Sequence, residues 1–184
     1  MIALYGRHYA ARYRAISQLI PDGATVLELC CGPGYLYQRH LRGRSIAYHG
    51  IDINQRFVDR IVRLGATGEV ADIAKMESLP GADFVVMQAS LYHFLPDAAP
   101  IADRMLGAAR RNVIIAEPIR NLSTARIPLI SRLARKHADP GSGKHQQRFD
   151  ERSLDTFMSR YEGRVARSFM IPGGREKVYV LASS

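Results

Sequence analysis

The chain has little cysteine, little lysine and no long apolar run. Its 184 residues contain two cysteines, Cys30 and Cys31, and these are adjacent. Neighbouring cysteines make a poor disulfide framework, so a stapled secreted fold is excluded and a reduced, cytoplasmic setting is expected. No stretch reaches the ~18 apolar residues that a spanning helix needs, so no transmembrane segment is expected. The opening Met1-Ile2-Ala3-Leu4-Tyr5-Gly6-Arg7-His8 lacks the apolar region of a signal peptide. Lysine is confined to Lys75, Lys136, Lys144 and Lys177, so arginine carries most of the formal charge of +9. Such a balance suits nucleic acid, an acidic substrate or an anionic membrane surface, or simply a solvated arginine-rich face. No arginine–aromatic nucleic-acid module accompanies it, which disfavours nucleic acid. There is no His/Cys ligand cluster, and no metal is expected.

What the chain does have is an ordinary globular composition, 47% apolar and 23% charged. Its length suits one domain, residues 1–184, with a full core. That domain is organised around Val26-Leu27-Glu28-Leu29-Cys30-Cys31-Gly32-Pro33-Gly34-Tyr35-Leu36. The run reads as a buried parallel strand over residues 25–29, a glycine turn, and a helix from about residue 35. Gly32 and Gly34 permit unusual backbone angles and close approach of a ligand. Glu28 falls at the strand's carboxyl end, the ligand-binding end of an open α/β sheet. A dinucleotide turn would be G-x-G-x-x-G, and here Tyr37 stands where the third glycine belongs.

The run resembles the first motif of the class I S-adenosylmethionine-dependent methyltransferases: an acid, one residue, then glycines at alternate positions. Cys30 stands where the first glycine is usual. Downstream, Asp52 ends a second strand (residues 45–51) in Gly50-Ile51-Asp52-Ile53-Asn54. An acceptor-only carboxylate there would hold both ribose hydroxyls; the alternative is a cap for the next helix, residues 56–64. Asp72 follows a third strand (residues 66–71). The resemblance implies that Asp72 takes the adenine amino group and that the backbone of Ile73 meets the ring, with a plain helix cap as the alternative. It further implies a cofactor rim made by Glu28, Cys30, Gly32, Gly34, Asp52, Ile53, Asp72, Ile73 and Gln88, the last ending a fourth strand over residues 82–88. After it, Ser90-Leu91-Tyr92-His93-Phe94-Leu95 resembles the substrate loop of small-molecule methyltransferases. It has neither the Asn/Asp-Pro-Pro-Tyr of exocyclic-amine methylation nor the paired glutamates of arginine methylation. His93 is the candidate general base, with a structural histidine as the alternative.

Residues 98–109 read as a helix, and residues 111–116 as a fifth strand leading to Glu117, which could bind a substrate amine or interact with a nearby arginine. Residues 119–148 form a lid-like insertion. Its basic, apolar-striped part, 119–137, would cover the acceptor pocket or lie on an anionic membrane surface. A helix to about residue 160 and a hairpin around Pro172-Gly173-Gly174-Arg175 close the chain. The expected fold is therefore α/β: a Rossmann-like seven-stranded, mostly parallel sheet, with helices on both faces and a C-terminal antiparallel hairpin. The function implied is methyl transfer from S-adenosyl-L-methionine to a small-molecule acceptor, with peripheral membrane contact open. The alternatives are a non-catalytic S-adenosylmethionine-binding scaffold and, disfavoured by the missing glycine, an NAD(P)-dependent oxidoreductase.

Overall fold

The computed structural model describes residues 9–119 and 147–183, so the lid-like insertion falls outside the described residues apart from its ends. The described chain runs α1 (Tyr9–Ser17), β1 (Thr25–Leu29), a π-helical turn (Tyr37–Leu41), β2 (Ala47–Asp52), α2 (Gln55–Arg63), β3 (Thr67–Val70) and β4 (Ala82–Gln88). It continues through a 3-10 turn (Leu91–Phe94), α3 (Ala99–Ala108), β5 (Ala109–Pro118), α4 (Glu151–Met158), a 3-10 segment (Ser159–Arg164), β6 (Val165–Met170) and β7 (Glu176–Ala182). β5 starts two residues before the expected boundary, because Ala109 already pairs with Ala82 of β4.

The seven strands form one sheet in the order β3-β2-β1-β4-β5-β7-β6. β1 to β5 are mutually parallel, and β7 is antiparallel to both β5 and β6. The order reverses between β1 and β4, which opens a crevice at their carboxyl ends. Period-two alternation sends side chains to two cores. Leu27, Leu29, Val85, Met87, Val113 and Ile115 pack with Ile101 and Met105 of α3 and Leu154 and Met158 of α4. Val26, Phe84, Val86 and Ile114 pack on the other face with Ile16 of α1, Leu41 of the π-helical turn and Ile61 of α2. Each fully buried Leu or Ile contributes about 1.5–3 kcal/mol. This is why central strands buried on both faces read as continuous apolar runs. Among the described residues no helix is long and apolar enough to cross a membrane.

Candidate cofactor site

The β1 turn is built on left-handed backbone. Cys30, Gly32 and Gly34 have φ of 51°, 54° and 71°. The two glycines serve different purposes. A Cβ on Gly34 would lie 2.7 Å from Ile61 Cγ2, so glycine is required there to seat α2 against the turn. A Cβ on Gly32 would meet nothing within 4 Å, and so this is where the turn faces open space. Cys30 adopts the conformation that favours glycine while keeping its side chain, at a backbone cost of about 1–2 kcal/mol. Burial, followed by the charges of Asp52, Glu117, Asp72 and Glu28, pushes its thiol up to about 12. Cys30 is therefore a neutral thiol near neutral pH, and not a nucleophile.

Glu28 sits deeper than a rim residue, only 3% exposed. Its Oε2 accepts the Tyr48 hydroxyl at 2.5 Å and its Oε1 accepts Gln88 Nε2 at 2.6 Å. Burial outweighs both donors and lifts its pKa to about 7. Gln88 Oε1 is buried with no hydrogen-bond partner, an orphaned acceptor of the kind a ligand donor satisfies.

Asp52 closes the turn onto β2. Its Oδ2 accepts the Gly32 N–H at 2.8 Å and its Oδ1 the Asn54 N–H at 2.9 Å. The cap of α2 is Asn54, whose side chain accepts the Arg56 N–H, so Asp52 does not cap that helix. An ionised carboxylate offers about four lone-pair directions, and Asp52 keeps capacity for further donors. Asp72 caps its own turn through the Ala74 N–H at 3.1 Å and lies 3.6 Å from Lys75 Nζ. Ile53 is exposed, whereas Ile73 is buried in the core. Glu28, Cys30, Gly32, Asp52 and Asp72 thus gather around one turn, and Gln88 adjoins Glu28.

His93 lies in the 3-10 turn after β4, its ring 4.1 Å from that of Tyr92. The turn is held from below by Glu117. This residue is fully buried, and its Oε1 accepts the N–H groups of both Ser90 and Leu91 at 2.8 Å. Oε2 has no partner, and burial pushes the carboxyl up to about 8. Of the two expected roles for Glu117, the interaction with a nearby arginine is the electrostatic one from Arg12, while Oε1 holds backbone N–H groups. Arg12 of α1 is a buried arginine, and it bonds Glu176 at 2.7 Å. Its charge opposes the upward shifts of both Glu28 and Glu117.

Sequence reasoning passed over Arg12 and Tyr48. Tyr48 alternates with Gly50 and Asp52 along β2, a period-two pattern that could have placed its hydroxyl on the Glu28 face. Nothing local marks Arg12, whose partner is 164 residues away. Among the described residues no group of three His, Cys, Asp or Glu side chains could hold a metal ion. A cleft of about 330 Å³ also opens at the amino ends of β1, β2 and β4, beside Thr25, Tyr48 and Ala82, at the far end of the sheet from the acids.

Solved structures share this architecture. The magnesium protoporphyrin IX methyltransferase ChlM of Synechocystis, crystallised with SAH, is 16% identical with a TM-score of 0.70, over 96% of this chain and 84% of that one. A TehB-like SAM-dependent methyltransferase of Corynebacterium glutamicum is 16% identical with a TM-score of 0.62, over 93% and 86%. The small RNA methyltransferase HEN1 is 16% identical with a TM-score of 0.68, over 94% of this chain and 25% of that one. No curated protein matches the chain. The fold is the Rossmann-like fold of the class I S-adenosylmethionine-dependent methyltransferases. The family described as methionine biosynthesis protein MetW matches residues 10–138, well over half of the sequence, and the chain belongs to it.

Proposed function

We propose that this protein binds S-adenosyl-L-methionine at the β1 turn and transfers its methyl group to a small-molecule acceptor. The observation that carries the reading is the charge and shape of that turn. Gly32 faces open space and its N–H bonds Asp52, the charges of Asp52, Asp72 and Glu28 bear on Cys30 of the same turn, and the orphaned Gln88 Oε1 adjoins Glu28. Acids around such a space suit a ligand that carries an ammonium and a sulfonium. Asp52 would hold the ribose through its remaining lone pairs, Asp72 the adenine amino group, and the exposed Ile53 would cover the base. Glu28 and Gln88 would meet the methionine end, the bare Gly32 letting backbone approach it. Bound S-adenosylmethionine supplies an electrophilic methyl group, so the protein's task is mainly to align an acceptor lone pair with it and exclude water. An acceptor hydroxyl would need a base, for which His93 is the candidate; an amine or thiolate would need less.

The fold's relatives methylate acceptors as different as a porphyrin and a small RNA by their printed names, so the fold does not choose. Support for a small molecule comes from the chain's lack of an arginine–aromatic nucleic-acid module and from the biosynthetic description of its family. Calorimetry with S-adenosylmethionine, S-adenosylhomocysteine and NAD tests the reading. The first two should bind and NAD should not. Asp52→Ala should weaken binding by about 1–3 kcal/mol, as expected for lost charge-assisted hydrogen bonds. Unchanged affinity in that variant would sink the ribose assignment. A non-catalytic scaffold is the second reading, favoured by Cys30, whose side chain stands at φ 51° where a glycine is usual. It predicts cofactor binding with no methyl transfer to any acceptor.

A further inference from the structure

A second cleft, about 520 Å³, lies between the end of the post-β4 turn and α4. It opens on the sheet face opposite Glu28, since Phe149 and Leu154 belong to the α3/α4 core. Leu95, Phe149 and Phe157 make its apolar wall, while Arg148, Arg160 and Thr156 provide polar groups. Among the described residues no acid lines it, although Asp150, Glu151 and Asp155 stand on the same helical segment. Those acids are engaged elsewhere: Asp150 caps α4 through the Ser153 N–H, and Asp155 and Glu151 approach Lys177. Arg160 is exposed and, among the described residues, forms no ion pair. The Arg148 guanidinium lies 3.4 Å over the ring of Tyr92, whose other neighbour is the His93 ring at 4.1 Å. The cleft therefore adjoins the turn that carries the candidate base.

From this we infer that the cleft is a binding site of its own beside the His93 turn, and that it takes a small organic anion with an apolar or aromatic body and a carboxylate or phosphate. The volume falls within the range of small-molecule sites, ~300–1,000 Å³. The apolar wall buries the ligand body, and the Arg160 fork matches a planar carboxylate or a phosphate. The Arg148–Tyr92 stack makes one side of the cleft rigid and ties it to the His93 turn. This assignment goes beyond the methyl-transfer reading above and does not depend on it.

Naphthoate and its uncharged counterpart naphthylmethanol are suitable probes, titrated into the full-length protein with backbone amide NMR shifts as the readout. Naphthoate should shift the amides of Leu95, Phe149, Thr156 and Phe157 and bind more tightly than naphthylmethanol. Arg160→Glu should weaken naphthoate about tenfold or more, the usual effect of a lost charge-assisted hydrogen bond, and Arg160→Lys should weaken it less. The affinity should fall as salt rises and should be the same with and without saturating S-adenosylhomocysteine. Equal binding of the two probes, or no effect of Arg160→Glu, overturns the assignment. Competition between naphthoate and S-adenosylhomocysteine also overturns it, because it would put the probe in the cofactor site. The cofactor arm stands apart: S-adenosylhomocysteine that fails to bind the wild-type protein refutes the methyltransfer reading, whereas the naphthoate shifts test the cleft by themselves.

Discussion

Single residues decide how the site is held. Cys30 occupies a left-handed backbone position at φ 51° with a full side chain. Cys30→Gly removes that cost, about 1–2 kcal/mol, and loses about 0.5–1 kcal/mol to the extra freedom of the unfolded chain. The variant should therefore be no less stable than wild type by urea denaturation, while Cys30→Val should be clearly less stable. A Cys30→Gly protein that unfolds more than ~1 kcal/mol more easily would mean that the side chain contributes packing that outweighs the strain. Glu117 can be dissected in the same way. Glu117→Ala leaves the N–H groups of Ser90 and Leu91 without their acceptor and should cost about 1–3 kcal/mol. Glu117→Gln keeps an acceptor oxygen and is neutral, as the buried carboxyl largely is near neutral pH, so it should stay close to wild type. Equal losses in the two variants would show that the grip on the Ser90 and Leu91 N–H groups is not what Glu117 contributes.

At the scale of elements, the β1 turn joins two tasks that mutation can separate. Gly34 is needed because α2 presses Ile61 against it at 2.7 Å from any Cβ. Gly34→Ala should therefore lower stability by about 1–3 kcal/mol, the cost of forcing atoms into a packed core. Gly32→Ala meets nothing within 4 Å and should cost only the backbone strain of its positive φ, while cofactor binding, which needs that space, should suffer more. Thermal denaturation and calorimetry on the pair read out the split. If Gly32→Ala binds S-adenosylhomocysteine as well as wild type does, the open face of the turn is not where the ligand lies. α1 belongs to the same machinery from the other side, because its Arg12 is a buried cation facing Glu176 and influencing Glu28 and Glu117.

For the whole molecule the buried carboxyls set a pH dependence. Glu28 and Glu117 are raised from an ordinary 4.5 to about 7 and about 8, in both cases chiefly by burial. The folded state thus holds two protons that the unfolded chain gives up at lower pH. Where the unfolded state binds fewer protons, stability falls as pH rises. The melting temperature should therefore decline from about pH 5 to about pH 8, and Glu28→Gln should flatten part of that slope. A melting temperature that rises across this window would show that both groups are ionised in the fold. A cationic ligand reverses the preference for Glu28, since positive charge beside a carboxyl favours its ionised form. S-adenosylmethionine should accordingly bind more tightly as pH rises through about 7, with uptake of a proton by the buffer. Binding that is flat across this range would mean that the ligand's charges are not near Glu28.

Apolar periodicity is a local property, and so the strands of the sheet, the helices between them and the closing hairpin could be read directly from the chain. β4 was expected at residues 82–88, where it lies. The acids Glu28, Asp52 and Asp72 were legible because each ends or follows an apolar run, and parallel strands bring such ends to one rim. Their partners were not legible, because hydrogen bonds across a sheet join residues distant in sequence. Only the paired strands set Tyr48 against Glu28, and only the β4–β5 register brings Glu117 under Ser90 and Leu91. The pairing of Arg12 with Glu176 likewise depends on α1 packing across β7. The motif marked Gly32 and Gly34 alike as ligand-facing, yet the position of Ile61 decides that one glycine serves packing and the other faces open space. The sequence by itself determined which backbone turns could form and which side chains are apolar or charged. The tertiary structure decided which charges are buried, because burial is a property of the neighbours that close over a group.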